Sequence, residues 1–543
     1  MANGAKEERE KWDTMRALLV TGAFIWLSGC AVGPDYELPA VAVPAVFGTA
    51  SLTPAVASAP TAADFVRWWQ VLRDPRLNAL IERAVASNPD IEIMLTRVQE
   101  ARSREIVVVG AMLPTAGGSA AIATGTGVNL MIGRLPLPLI SAANFRGLKS
   151  IWRLAGFDAG WELDLFGKHQ RALEAAHDDA QAQMELRNAA LITVIADVAR
   201  NYFAIRGLQS QLEIARKHVT TAQKTVDLLM ARSDRGRSNE SDRGRSSESD
   251  RGRSSESDRG RSSELDLTLA KRQLSSRQAR LPELEAAISA AESRLALLLG
   301  TFSADIAAAM QRHAKMPPLP ERLRPGVAVD LLRRRPDIRA AERELAAATA
   351  RIGVATAALF PSVALTAGFG AQGGTRQEGP LAPIHNPIWS FGPGAYWPLL
   401  DFGRLDALIN IEEMRAHEAL VRYKKTIITA VEEVDQAIKQ YRLDRQRLKA
   451  LGEALEESHR AVDLATERYK RGATDFLNVL DAQRQDFALA EEKAHAAEVA
   501  MQSYLAFYKA LGGGWELYDE LPLIPEAQPA VIATVRRLTN SWH

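Results

Sequence analysis

The sequence predicts an α+β membrane protein in which long coiled-coil helices join short amphipathic strands, the whole plan occurring twice in 543 residues. Three observations carry this. An apolar run ends at the only cysteine, Cys30. Two stretches, 168–235 and 404–471, lack proline and place apolar residues at heptad spacing. Before each of them the period changes from helical to alternating, as in half-buried strands.

The N-terminal element comes first. Ala17–Leu27 is apolar and leads through Ser28-Gly29 to Cys30, then Ala31-Val32-Gly33-Pro34-Asp35-Tyr36. A run this short with small residues behind it reads as a secretory signal. The residue types match a bacterial lipobox, in which the cysteine thiol is lipidated, palmitate being a typical acyl chain, and becomes the mature N-terminus. Residues 1–14 carry Glu7, Glu8, Glu10 and Asp13, wrong for a positive n-region, so Met15 is the expected start and 1–29 the signal. Ala31 after the cysteine favours the outer membrane. Residues 30–60, with five prolines, read as an extended lipidated tether along the surface.

Bulk numbers narrow the class. A net charge of +1 gives no nucleic-acid signal. One cysteine allows no intrachain disulfide. After residue 30 no run of 18 apolar residues occurs, so a membrane crossing requires a closed β-barrel.

The repeat can be read in register. Asn88-Pro89-Asp90-Ile91 recurs as Arg335-Pro336-Asp337-Ile338, and Leu113-Pro114 as Phe360-Pro361, both at one offset. Trp161-Glu162-Leu163-Asp164-Leu165-Phe166-Gly167 recurs as Trp397-Pro398-Leu399-Leu400-Asp401-Phe402-Gly403, and Arg232-x3-Gly236 as Arg468-x3-Gly472. These last two share a second, slightly shorter offset. The expected repeats are 61–302, with strand pair 115–166, long helix 167–232 and tip insertion 233–264, and 303–520, with strand pair 362–402, long helix 403–468 and tip 469–481. Residues 521–543 read as a poorly ordered tail.

Each long helix has a seam: Leu191, Ile195, Val198, Tyr202 and Ile205, then Ile427, Val431, Val434, Ile438 and Tyr441. At 1.5 Å per residue such a helix spans roughly 100 Å. In the strands, Phe157, Ala159, Trp161, Leu163 and Leu165 alternate with Asp158, Gly160, Glu162 and Asp164. Val363, Leu365, Ala367 and Phe369 alternate with Ser362, Ala364, Thr366 and Gly368. These fit transmembrane-barrel strands. About four per chain cannot close around a pore, so several chains must share one barrel.

Together, Cys30–Tyr36, the doubled Pro-Asp-Ile starts, the doubled Trp…Phe-Gly strand ends and Arg-Tyr-x-x-Gly…Val-Leu-Asp-Ala-Gln resemble TolC-like outer-membrane efflux channels of the lipoprotein (NodT-type) branch. The resemblance covers residues 30 to 520. It implies a homotrimer with a shared 12-stranded β-barrel above a helical barrel crossing the periplasm. It also implies a passive exit duct for small molecules in a tripartite pump, with a periplasmic adaptor and an inner-membrane transporter as partners. No cofactor is implied beyond the lipid on Cys30.

The resemblance makes the later glycine of each half a turn between helices. Gly472 fits. In the first half, Ser233–Glu240 is followed by three copies of Ser-Asp-Arg-Gly-Arg-Ser-Ser-Glu ending at Glu264, and counting from Gly260 restores the register. Gly236 and Gly260 therefore bracket an insertion three octapeptides long. Each octapeptide is neutral and has nothing apolar to pack, so a disordered or loosely helical loop is expected. By the same resemblance the gate carboxylates fall at Asp481 and Asn478, the latter neutral, with Asp266 as a replacement acid. Arg468 and Arg471 are candidates to hold the tip closed.

No catalytic set emerges, and an enzyme is not expected. His169 and His177 read as solvent-exposed and show no His-Glu-x-x-His spacing. Glu432-Glu433 and Asp178-Asp179 point apart on their helices. Gly512-Gly513-Gly514 reads as a helix stop, and Trp68-Trp69 with Asp74-Pro75 as the first packed turn. Two other readings stay open: a type I-like protein-secretion exit channel, and a lipid-anchored periplasmic coiled-coil scaffold or adaptor.

Overall fold

The structure is a computed structural model and describes residues 31–41, 65–125, 150–243, 250–310, 316–319, 323, 334–375, 386–471 and 473–518. The signal segment, Cys30, most of the tether and the tail lie outside these residues.

A 3-10 turn, Trp68–Leu72, precedes α1 (Pro75–Ser87), α2 (Pro89–Met112), β1 (Thr115–Gly125), β2 (Ser150–Leu163), α3 (Lys168–Arg243), α4 (Asp250–Leu298) and α5 (Ser303–Met310). Then follow α6 (Pro336–Ala357), β3 (Ser362–Thr375), β4 (Asn386–Tyr396), α7 (Arg404–Lys470) and α8 (Phe476–Leu511). The starts of α2 and β1 recur in α6 and β3, and that of α3 recurs in α7, at the two offsets read from the sequence.

Local chemistry sets the helix starts. Asp74 accepts from the Arg76 and Leu77 amides (3.0 and 3.3 Å), with Pro75 at the first helical position. Asn88 Oδ1 caps α2 through the Asp90 and Ile91 amides, and its Nδ2 donates to Leu298 O (2.8 Å) in the last turn of α4. In the second half Arg335 Nη1 donates to Ala510 O (2.8 Å) in the last turn of α8. So α4 ends where α2 begins, and α8 ends where α6 begins. Each junction satisfies a carbonyl that the helix end leaves unpaired.

The seam is buried as expected: Leu191, Ile195, Val198, Tyr202 and Ile205 in α3, and Ile427, Val434, Ile438 and Tyr441 in α7. Val431 is half-buried. The α3 seam meets Trp68, Trp69, Leu77, Ile81, Leu295, Met310 and Tyr504 in the main core, a belt around the middle of the helices.

The strands form one antiparallel sheet in the order β1-β2-β3-β4. Its register pairs Phe157 with Phe369, Ala159 with Ala367 and Trp161 with Leu365, then Phe369 with Trp389 and Ala367 with Phe391. Cross-strand partners share a face, so the alternating apolar residues form one sheet surface. Phe157, Phe369, Trp389 and Phe391 are 72%, 66%, 77% and 69% exposed, so that surface is bare in a single chain. Trp161 Nε1 donates to Met112 O at the end of α2 and Trp397 Nε1 to Leu359 O in the turn after α6, both at 2.9 Å, tying each strand pair to the chain just before it. Among the described residues no single helix is long and apolar enough to cross a membrane, a test that says nothing of a β-barrel.

Two expectations are corrected. First, the insertion takes the helical one of its two expected states where described, α3 running on to Arg243 and α4 beginning at Asp250, and this displaces the expected turns. Gly236 and Gly260 therefore lie inside helices and make no turn. Octapeptide glycine costs about 1 kcal/mol per helix position relative to alanine. Arg and Glu propagate helix well, and opposite charges three apart (Asp234/Arg237, Glu240/Arg243) favour it. Secondly, His169 is buried with Nε2 3.5 Å from Glu162 Oε2, and His177 is half-buried with Nδ1 3.1 Å from Glu105. Neighbouring elements cover the helix face that periodicity assigned to water.

Replacing Ile195 with alanine removes a fully buried seam residue and should destabilise the protein by about 2–5 kcal/mol. Chemical denaturation monitored by circular dichroism would read this.

Candidate functional site

At the far end of the long helices a second apolar cluster joins the two hairpins: Val226 and Leu229 of α3, Ala270 of α4, and Phe476, Val479 and Leu480 of α8. Tyr469 and Phe476 face each other across the tip at 5.2 Å. Arg471 caps the end of α7 and pairs with Glu467 one turn back, while the Arg468 carbonyl accepts from the Ala473 amide (2.9 Å). Both arginines belong to one hairpin's own turn. Gly472 lies outside the described residues.

The acidic candidates separate. Asp481 is exposed and accepts from Arg484 Nη2 and Gln485 Nε2, both at 2.9 Å. Asn478 Nδ2 donates to Thr474 Oγ1 (2.9 Å). Asp266 is half-buried, and its carboxyl is pushed up first by burial and then by the Asp475 carboxylate. The acid beside Asp266 is therefore Asp475, the residue preceding α8, which the sequence reading did not single out. Its place directly after the tip was the available signal.

Between tip and core, contacts cross from α3 and α4 to α8. The His218 ring stacks on Phe487 (3.9 Å), Arg277 lies over the same ring (5.0 Å), and Arg277 Nη1 stands 3.5 Å from Glu491. Higher up, Glu498 is buried against Gly207 of α3. It accepts from Gln211 Nε2 (3.3 Å) and Gln502 Nε2 (3.2 Å). Burial pushes its carboxyl up to about 7, against a smaller opposing effect of the Gln502 hydrogen bond.

Towards the sheet, α2, α3, α6 and α7 pack side by side as a wall. One cavity of about 660 Å³ is lined from all four, including Arg97, Arg104, Asp179, Arg351, Arg415 and Arg422. The acids 178 and 179 do point apart: Asp178 meets Arg343 (3.3 Å), and Asp179 meets Arg351. Residues 31–41 lie against the same helices, with Tyr36 and Val41 packed on the Ile338–Leu345–Tyr423–Ile427 cluster.

This architecture meets its match among known proteins. The family described as "Outer membrane efflux protein" matches residues 80–243 and 327–513. This chain belongs to that family. Nodulation protein T of Rhizobium leguminosarum bv. trifolii is 27% identical over 494 residues, covering 90% of this chain and 95% of that protein. The probable outer membrane lipoprotein SilC of Salmonella typhimurium is 27% identical over 506 residues, covering 92% and 99%. The solved structure of the outer-membrane channel OprN aligns with a TM-score of 0.74 and 30% identity, over 90% of this chain and all of that one. As an outer membrane efflux protein, the chain belongs to the outer membrane and reaches into the periplasm.

The raised Glu498 carboxyl gives a test. Its folded value lies above the ordinary 4.5, so the folded state holds the extra proton between about 4.5 and 7. Stability is lost as pH rises through that window and is unpenalised below it. Glu498→Gln should raise the thermal midpoint at pH 8 and leave it unchanged at pH 4, as read by differential scanning calorimetry.

Proposed function

We propose that the protein is the passive exit duct of a tripartite efflux pump, working as a homotrimer whose sheets close a 12-stranded barrel. The observation that carries this is the four-stranded sheet, whose two edges are unpaired and whose apolar face is bare among the described residues. In lipid every backbone donor and acceptor needs a partner, and four strands are too few to close. The helical wall is open at both edges too. Met414, Val421 and Ile428 form an exposed heptad stripe on α7, and Ile93 and Val107 are exposed on α2. One edge against the other generates a closed ring of identical contacts.

The two halves of the chain act as structural repeats, so each chain contributes two hairpins to the periplasmic barrel. One face of the helical wall lines the duct lumen. The lipid on Cys30 anchors the chain, no cofactor takes part, and conduction consumes no energy here. Energy enters at an inner-membrane transporter, reached through a periplasmic adaptor that docks on the hairpin ends. Cargo consists of small molecules. Asp481, with Asp266 and Asp475, gives the tip a negative rim that favours cations. Asn478 adds no charge to it.

Detergent-extracted protein should show a trimeric mass and a hollow projection roughly 100 Å long by negative-stain imaging and light scattering. A monomer with no barrel would overturn the duct. In planar bilayers Asp481→Asn should lower the cation-to-anion permeability ratio, read from the reversal potential in a salt gradient. Excision of 237–260 should leave pump assembly and drug tolerance at wild-type level, because the apolar tip cluster of Val226, Leu229, Ala270, Phe476, Val479 and Leu480 includes none of the excised residues. Loss of assembly would mean that the extended hairpin is required for docking.

A further inference from the structure

The residues that follow Cys30 are held, and the way they are held differs between the two strand-to-helix junctions of the chain. The Val32 amide donates to Phe166 O (3.2 Å). Arg171, in the first turn of α3 and buried, donates from Nε to Val32 O (3.3 Å) and from Nη2 to Gly33 O (3.4 Å) and Asp35 Oδ1 (2.5 Å). Its Nη1 is fixed by Glu174 Oε2 at 2.8 Å. The floor of the slot is Gly353 of α6. A Cβ on Gly33 (φ +94°) would lie 2.5 Å from Gly353 Cα, and one on Gly353 would lie 2.9 Å from Val32 O. Only glycine at both positions permits this approach.

The second junction lacks these parts. The repeat register places Ala407 where the first half has Arg171, and Ile106 where the second half has Gly353. The cation that binds three acceptors is gone, and a branched side chain stands where the slot tolerates none. The bare surface follows the same division. Phe166 is stacked on Phe360 at 4.7 Å, whereas Phe402, its counterpart in the second half, is 91% exposed.

We propose that residues 31–36 are a strap whose docking slot exists at only one of the two junctions, and that Arg171 is the positioning residue holding the lipid-bearing end beside β2 and α3 of its own chain. This rests on the anchoring and trimer reading above. The acyl chains then enter the bilayer next to the β2–α3 junction. The β4–α7 junction is left free, and its occupant is a second copy of this chain, the α2–β1 corner covering Phe402 as Phe360 covers Phe166. Straps and chain-to-chain contacts alternate around the ring and never compete for one groove.

The test is hydrogen exchange by mass spectrometry on full-length protein purified from outer membranes, comparing wild type with Arg171→Ala, Asp35→Ala and Gly353→Ala. The mass of the N-terminal peptide and the mass of the assembly are recorded in parallel. A buried charge-assisted hydrogen-bond set should make amides in 32–36 exchange about tenfold faster or more in Arg171→Ala and Gly353→Ala, with the trimer mass unchanged. Asp35→Ala removes only the exposed partner, leaves α3 intact and should give a smaller rise. It keeps the test decisive if a helix variant assembles poorly. Wild-type exchange rates in all three variants would overturn the strap. An unmodified Cys30 with the expected exchange pattern would overturn the anchoring reading and leave the docking slot supported.

Discussion

A backbone in lipid must find all its hydrogen-bond partners within protein, and this single constraint organises the rest of the molecule. Four strands offer paired amides in the middle of the sheet and unpaired ones along β1 and β4. In the proposed barrel, those edges make assembly part of folding. The helical wall obeys the same logic in weaker form: α2 and α7 each leave apolar residues uncovered by the described residues.

Stacking half-length helices end to end carries its own cost, because each end exposes carbonyls. The two halves meet it with different chemistry. Asn88 is neutral and caps its own helix with one end of its amide while holding Leu298 O with the other. Arg335 brings a full positive charge to the C-terminal end of α8, where the helix dipole favours it, and Asp337 (2.6 Å) and Glu433 (2.8 Å) balance that charge. A buried unpaired cation would be far more expensive than an unpaired amide, so the second junction is the more heavily braced.

Much of this was legible in the sequence. The seams, the strand faces and both offsets are periodic properties, and period survives any tertiary context. Trp161 and Trp397 were visible as repeated residues, but their shared hydrogen bond to the chain just before each strand pair was not, because it depends on where the preceding helix ends in space. Environment was read least well. His169 has the period of a wet face and is covered by β2. Asp475 looks like an ordinary helix-start residue until α4 brings Asp266 beside it. Gly236 and Gly260 read as turns because register permits a turn there. Helix propagation through a charge-paired octapeptide overrides a single glycine.

The octapeptide array also behaves as a ruler. Tandem repeats are gained and lost in whole copies, and eight codons never disturb the reading frame. One copy shared between the two arms of a hairpin adds about four residues to each, close to one helical turn and about 6 Å of height. A full turn returns the same helix face to the same neighbour. Copy number can therefore vary the reach of the first hairpin in discrete steps while the apolar cluster around Phe476 stays as it is.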